Sequence, residues 1–231
     1  MTDPLPKQTP IHSIAESWGA TFGNVAGWRI PRSLGDLDDA LQSAREGVLL
    51  VDRSARGKIL VEGATALEAL QRAWEVPDLQ VNRGVPIPGG FLYRLRADRF
   101  FLSVGPGAVE ETITTVNDTL LQGEPLVTVT DVTHGRAELW LLGPAAAELL
   151  SRLCGLDFHP AAFGSGEARE SSVARTKQLL LRSDVGQVPA FALIGARSLA
   201  AYLWETILDA GRDLQLVPAG SEVMEKLEET G

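Results

Sequence analysis

Asp131-Val132-Thr133-His134 places a carboxyl, a hydroxyl and an imidazole within four residues of one another. A nucleophilic triad needs those groups to face each other in space, and adjacency along a strand does not supply that. His134 is therefore read first as a polar residue lining a binding seam, and as a proton carrier only second. Tyr93 is the other residue placed to handle a proton. A phenol with its ordinary pKa of about 10 is a poor base at neutral pH. Arg56 and Arg94 can each clasp a ligand's or partner's carboxylate, or close a surface salt bridge. Trp28, in the turn-rich stretch AGWRIP, either lines a pocket or covers the edge of a core.

Other chemistries are excluded by residue type. The single cysteine, Cys154, allows no intrachain disulfide and no multi-cysteine metal site, and its apolar setting makes it a small core residue. His12 and His159 lie far apart in sequence and bring no ligand set for a metal. Gly89-Gly90 and Gly105-Pro106-Gly107 fit neither phosphate-loop pattern, and their simplest use is close backbone approach and turning.

The elements that must position these residues occur twice. DRSARGKILVEGATALEAL from Asp52 and DVTHGRAELWLLGPAAAELL from Asp131 align with one residue of slack. Asp52 matches Asp131, Ser54 matches Thr133, Gly63 matches Gly143, Glu68 matches Glu148 and Leu70 matches Leu150. Each copy reads as an alternating strand, a glycine turn and an Ala/Leu helix. Strands over Gly90–Arg96 and Arg99–Val104 and a helix over Val109–Leu121 complete the first half. Strands over Val173–Arg182 and Ala190–Ile194 and a helix over Ser198–Ala210, capped by Ser198 and stopped by Gly211, complete the second. The inward face of that last helix is expected to be Leu199, Tyr202/Leu203 and Thr206/Ile207.

Upstream, a short helix is expected around Ser13–Trp18 and another over Asp36–Arg45, followed by GVLLVD as a buried strand. The fold class is then α+β. Two duplicated halves, each strand-helix-strand-strand-helix, lay helices on one face of antiparallel sheet around a central cavity. The expected divisions are a flexible arm over 1–12, halves over 13–124 and 125–217, and an acidic tail over 218–231.

With 231 residues, 45% apolar and 22% charged, the chain has the composition of a globular protein. No apolar run approaches the roughly 18 residues of a membrane span, and the opening residues form no signal peptide. A cytoplasmic location is expected. The net charge of −9 without a Lys/Arg cluster argues against nucleic acid as a partner.

Three stretches, GNVAGWRIP (Gly23–Pro31), VDRSARGKILVEG (Val51–Gly63) and GGFLYRLRADRFFLSV (Gly89–Val104), carry a resemblance. They are similar to the folate-binding domain of the glycine-cleavage T protein, the aminomethyltransferase family that includes the YgfZ-type proteins. The stretches Asp131–Phe163 and Pro189–Leu214 resemble the gamma subunit of heterotetrameric sarcosine oxidase. The resemblance implies a central cavity that holds tetrahydrofolate, and one-carbon chemistry assisted by a carboxylate. It implies no metal. It also implies that Trp28, Arg56, Tyr93, Arg94 and Gln187 face the folate-like ligand, with Tyr93 and His134 as the remaining proton-handling candidates.

Departures from the family pattern accompany it. Tyr93-Arg94 stands where the family has its acidic pair, so the catalytic acid is replaced. Ser54-Ala55-Arg56-Gly57 replaces Ser-His-Met-Gly, Gly105-Pro106 replaces an Asn, and Gly186-Gln187 replaces a Gly-Glu pair. Gln187 can still donate and accept a hydrogen bond, without charge. The family's C-terminal barrel lies beyond the matched region. The alternative implied by the second resemblance is a non-catalytic, gamma-like subunit docking on a larger flavin-dependent oxidase or dehydrogenase.

Overall fold

Every residue of the run Val48–Asp52 is buried, as a strand covered on both faces must be. A computed structural model describes residues 5–122 and 125–230. Residues 1–4 of the expected arm, the boundary near 123–124 and the last residue of the tail lie outside the described residues. In chain order the elements are β1 (Lys7–Gln8), α1 (His12–Ser17), β2 (Thr21–Val25), β3 (Trp28–Ser33), α2 (Leu37–Glu46), β4 (Val48–Asp52) and β5 (Gly57–Glu62). Then follow α3 (Ala66–Trp74), β6 (Gly84–Ile87), β7 (Gly90–Arg96), β8 (Arg99–Val104), α4 (Val109–Asn117), β9 (Thr128–Asp131), β10 (Arg136–Leu142) and α5 (Ala146–Leu153). The chain ends with β11 (Glu167–Val173), β12 (Thr176–Arg182), β13 (Ala190–Ala196), α6 (Ala200–Ala210), β14 (Leu216–Ala219) and α7 (Glu222–Thr230).

The fold is α+β, in two compact units. One gathers the chain up to Ala55, then Arg136–Ser165 and Glu170 onward; the other gathers Arg56–Gly135 and Gly166–Arg169. The units therefore collect segments from both sides of the boundary expected near residue 124. The first unit's six-stranded sheet runs β11-β12-β13-β10-β4-β14, and β14 pairs with β4 in parallel, so the sheet is not wholly antiparallel as expected. Its core includes Leu50, Leu139, Leu141, Leu149, Leu193, Leu203 and Trp204. The second unit's sheet runs β6-β7-β8-β5-β9, over a core of Ile59, Leu70, Leu92, Phe100, Leu102 and Val116. A separate three-stranded sheet, β1-β3-β2, belongs to the first unit.

Local chemistry explains most boundaries. Asp36 caps α2, its Oδ1 accepting the N–H of Asp38 at 2.8 Å and of Asp39 at 3.2 Å. Gly63 (φ 154°) and Gly143 (φ 121°) close the strand-to-helix turns before α3 and α5, and each carbonyl accepts from the third residue on, Ala66 and Ala146 respectively. A side chain added at Gly90 would sit 2.2 Å from Ser103 O, so the close approach expected there is real.

Several expectations need correction. β6 and β11 are strands where loops were expected. The Gly-rich segment around Trp28 is a hairpin, turning at Ala26 (φ 48°) and Gly27 (φ 76°). Helix α4 stops at Asn117, short of the expected Leu121. Ser198 does not cap α6: it lies in a 3-10 turn, Arg197–Leu199, and the helix begins without a side-chain cap. The buried face of α6 is Ala200, Leu203, Trp204 and Ile207, while Leu199 and Tyr202 are exposed. Leu203 and Ile207 are buried as expected, and the bulk of Trp204 fills the core in place of Leu199 and Tyr202. Within the expected arm, Lys7–Gln8 pair in parallel with β3, and Ile11 and His12 are buried. The acidic tail forms α7, which buries Val223, Met224 and Leu227.

Candidate functional site

In the second unit the Asp131–His134 segment is spent on turn geometry. Asp131 Oδ1 accepts the Thr133 N–H at 2.8 Å, and Thr133 Oγ1 accepts the Lys58 N–H at 2.9 Å. The Val132 N–H returns to Lys58 O at 2.9 Å. The acid and hydroxyl thus satisfy backbone donors, which is what Asx turns do, while His134 is exposed at the tip. Lys58 is fully buried, with its ammonium donating to Arg56 O at 2.8 Å. Arg56 is half-buried and donates through Nε and Nη2 to Ser103 Oγ at 3.4 and 3.2 Å.

The first unit repeats this wiring with the charge reversed. Asp52 Oδ1 accepts the Ser54 N–H at 2.9 Å, and Ser54 Oγ accepts the Glu138 N–H at 3.0 Å. The Arg53 N–H returns to Glu138 O at 2.9 Å. Glu138 is fully buried, and its Oε1 accepts from Trp140 Nε1 at 2.7 Å. The Arg53 guanidinium lies 4.7 Å from the Trp140 ring centroid, a cation–π contact. Lys58 and Glu138 each stand the same number of residues before their turn glycines, Gly63 and Gly143. These two buried charges are the polar residues that sequence reasoning missed. Opposite charges at matching distances before two turn glycines were the available signal; the alternating pattern of each strand concealed it by making both look like solvent-side residues.

The remaining candidates are held by different parts of their units. Tyr93 is buried, stacks on Phe91 with centroids 5.8 Å apart, and covers its cross-strand partner Gly84, where an added Cβ would meet the ring at 2.4 Å. Arg94 donates from Nη1 to Leu79 O at 2.7 Å, from Nη2 to Ala97 O at 2.9 Å and from Nε to Arg96 O at 3.3 Å. Its guanidinium also lies 5.6 Å from the Phe100 ring centroid. Trp28 is buried against Ile30 and Ala55, so it covers a core edge. Gln187 is exposed in the two-residue turn Gly186-Gln187, closed by the Val185–Val188 bridge. Arg94 reads as a brace. Arg94→Ala is expected to lower the unfolding free energy by about 2 kcal/mol, with Arg94→Lys recovering only part, because one ammonium cannot serve three carbonyls. Urea denaturation of the three proteins checks this.

A depression of about 180 Å³ in the second unit is lined by Trp74, Pro88, Gly89, Ala108, Glu111, Thr112 and Thr115, none of them a sequence candidate. It is smaller than the roughly 300 Å³ at which small-molecule pockets begin. Among the described residues, no group of three or more His, Cys, Asp or Glu could hold a metal ion, and no helix is long and apolar enough to cross a membrane.

The model of the GCVT N-terminal domain matches residues 11–229. The chain belongs to the GCVT N-terminal domain family. An aminomethyltransferase of Lysinibacillus sphaericus is 30% identical over 235 residues, covering 95% of this chain and 62% of that protein. The crystal structure of the glycine cleavage system aminomethyltransferase T from Bartonella henselae superposes with a TM-score of 0.81 at 25% identity, covering 97% of this chain and 62% of that one. A chain of heterotetrameric sarcosine oxidase from Corynebacterium sp. U-96 shares the fold, with a TM-score of 0.68 at 22% identity over 90% of this chain and 96% of that one. The GCVT domain thus spans about 62% of the length of the curated aminomethyltransferase it matches.

Proposed function

We propose that this chain is a one-carbon-metabolism protein that binds tetrahydrofolate or an amine-derived ligand without performing aminomethyl transfer of the glycine-cleavage kind. The duplication read from the sequence is part of this proposal, supported by the matching turn wiring of Asp52-Ser54 and Asp131-Thr133. The observation that carries the functional reading is the state of Tyr93 and Arg94. General base catalysis needs an acceptor within hydrogen-bond reach of the reacting nitrogen. Where the resemblance places the family's acids, this chain has a buried phenol packed on Phe91 and a guanidinium committed to three carbonyls. Neither is a base at neutral pH.

Calorimetric titration with tetrahydrofolate is expected to give saturable binding, while an aminomethyl-transfer assay gives no turnover above background. Absence of binding up to millimolar concentration, for tetrahydrofolate and for sarcosine titrated in the same way, overturns the first half of the reading; turnover overturns the second.

A second reading is a non-catalytic subunit that docks on a flavin-dependent oxidase. The likeness of fold to a sarcosine oxidase chain, over 90% of this chain, supports it. Purification from the native host would then recover larger subunits with this chain, and recovery of the chain alone would count against it.

A further inference from the structure

The segment before α1 joins its unit through β1, an edge strand paired in parallel with β3. β1 is two residues long, its Lys7 N–H donates to Gly27 O at 2.8 Å, and Gln8 O accepts from Arg197 Nη2. Leu5 is 93% exposed, so among the described residues the outer end has no apolar anchor, whereas buried Ile11 and α1 fix the inner end. Beneath the segment lies Trp28, 3% exposed, with Lys7 Nζ and the Arg197 guanidinium each 5.7 Å from its ring centroid. Thr9 Oγ1 and Arg197 Nη1 are both buried without a hydrogen-bond partner. Buried polar atoms left unmade disfavour the closed arrangement, and admitting water relieves them. A two-residue edge strand, an exposed Leu5 and buried polar atoms without partners mark a segment that opens well before the whole fold does.

We propose that residues 5–10 form a releasable strap over an aromatic–cationic surface. Closed, the strap covers Trp28 and occupies Arg197. Open, it presents the Arg197 guanidinium, held beside the Trp28 ring and suited to a small anion such as a carboxylate. This device does not depend on folate binding.

The test uses the full chain. Hydrogen exchange is expected to proceed about tenfold or more faster at the Lys7 amide than in the β2–β3 hairpin. Lys7→Pro removes the N–H that holds Gly27 O, whereas Lys7→Ala keeps it and removes only the ammonium. Trp28 emission, isolated by difference against Trp28→Phe, is expected to be quenched at least about twofold more by iodide in Lys7→Pro than in the parent, with Lys7→Ala between them. Equal exchange at Lys7 and in the hairpin overturns the strap. So does unchanged quenching in Lys7→Pro, or a Lys7→Pro protein that circular dichroism shows to be unfolded. Quenching that rises for neutral acrylamide but not for iodide overturns the anion-accepting surface.

Discussion

Glu138→Ala is expected to lower the stability of the protein by about 3 kcal/mol or more, a larger loss than that expected for Arg94→Ala. Glu138 is fully buried and accepts the Trp140 indole N–H at 2.7 Å. Alanine leaves that donor unsatisfied in the interior, at about 1–3 kcal/mol, and adds the cost of a cavity where the carboxylate and its stem stood. The backbone bond from Glu138 N to Ser54 Oγ survives, so the strand register should not change. Glu138→Gln keeps both the volume and an oxygen acceptor. It is expected to lose clearly less than alanine, by the difference between a weakened hydrogen bond and a missing one. Urea unfolding followed by tryptophan fluorescence and by circular dichroism, with coincident transitions, measures both. Equal losses for the two variants would show that the charge itself, and not the acceptor for Trp140, is what the site requires.

Gly143→Ala is expected to cost about 3–5 kcal/mol, combining a strained backbone with overpacking. The residue has φ 121°, and an added Cβ would lie 2.4 Å from Gly47 O and 3.2 Å from Gly47 C. Those are backbone atoms, and Gly47 O already accepts the Ala145 N–H at 3.1 Å, so retreat would break the turn that starts α5. Gly155→Ala is the control: nothing lies within 4 Å of its added Cβ, and the change is expected to stay within about 0.5 kcal/mol. Gly63, at the matching position in the second unit, has φ 154° and backbone 2.6 Å from an added Cβ, so Gly63→Ala should behave like Gly143→Ala. Thermal denaturation of the four proteins ranks them directly. A Gly143→Ala protein as stable as Gly155→Ala would remove the steric account of this turn.

What the sequence made legible was whatever a short window can encode. VLLVD is buried throughout, Asp36 caps α2, and Ala97-Asp98 turns the β7–β8 hairpin. What it hid depends on partners far along the chain. The β11–β12 hairpin turns on Ala174 (φ 47°) and Arg175 (φ 62°), where turn chemistry favours Gly or Asn, so no residue type announced it. Leu203 and Ile207 of α6 are legible as core, but two apolar stripes compete beside them, and only the core decides that Trp204 enters and Tyr202 stays out. The candidate site was least legible. The cluster DVTH looks chemical because its side chains are short and polar, which is also why they make good turns. Buried Lys58 and Glu138 look like surface residues, because a strand's alternation says which side a residue faces and not whether that side is wet.

The strand order of the first unit also sets a timetable for the chain as it leaves the ribosome. β4 emerges early, yet its neighbours in the sheet are β10, where Leu49 pairs with Leu142, and β14, where Leu50 pairs with Pro218. At about 5–20 residues per second, the wait lasts seconds before the first partner exists, and longer before the second. Through that interval an apolar strand with both edges open is a template for pairing with the wrong chain. Its long loop closure also makes the eventual pairing slow. Whatever ligand the finished protein holds, the newborn chain's first requirement is protection of Val48–Asp52 until residues from the far end of the sequence arrive.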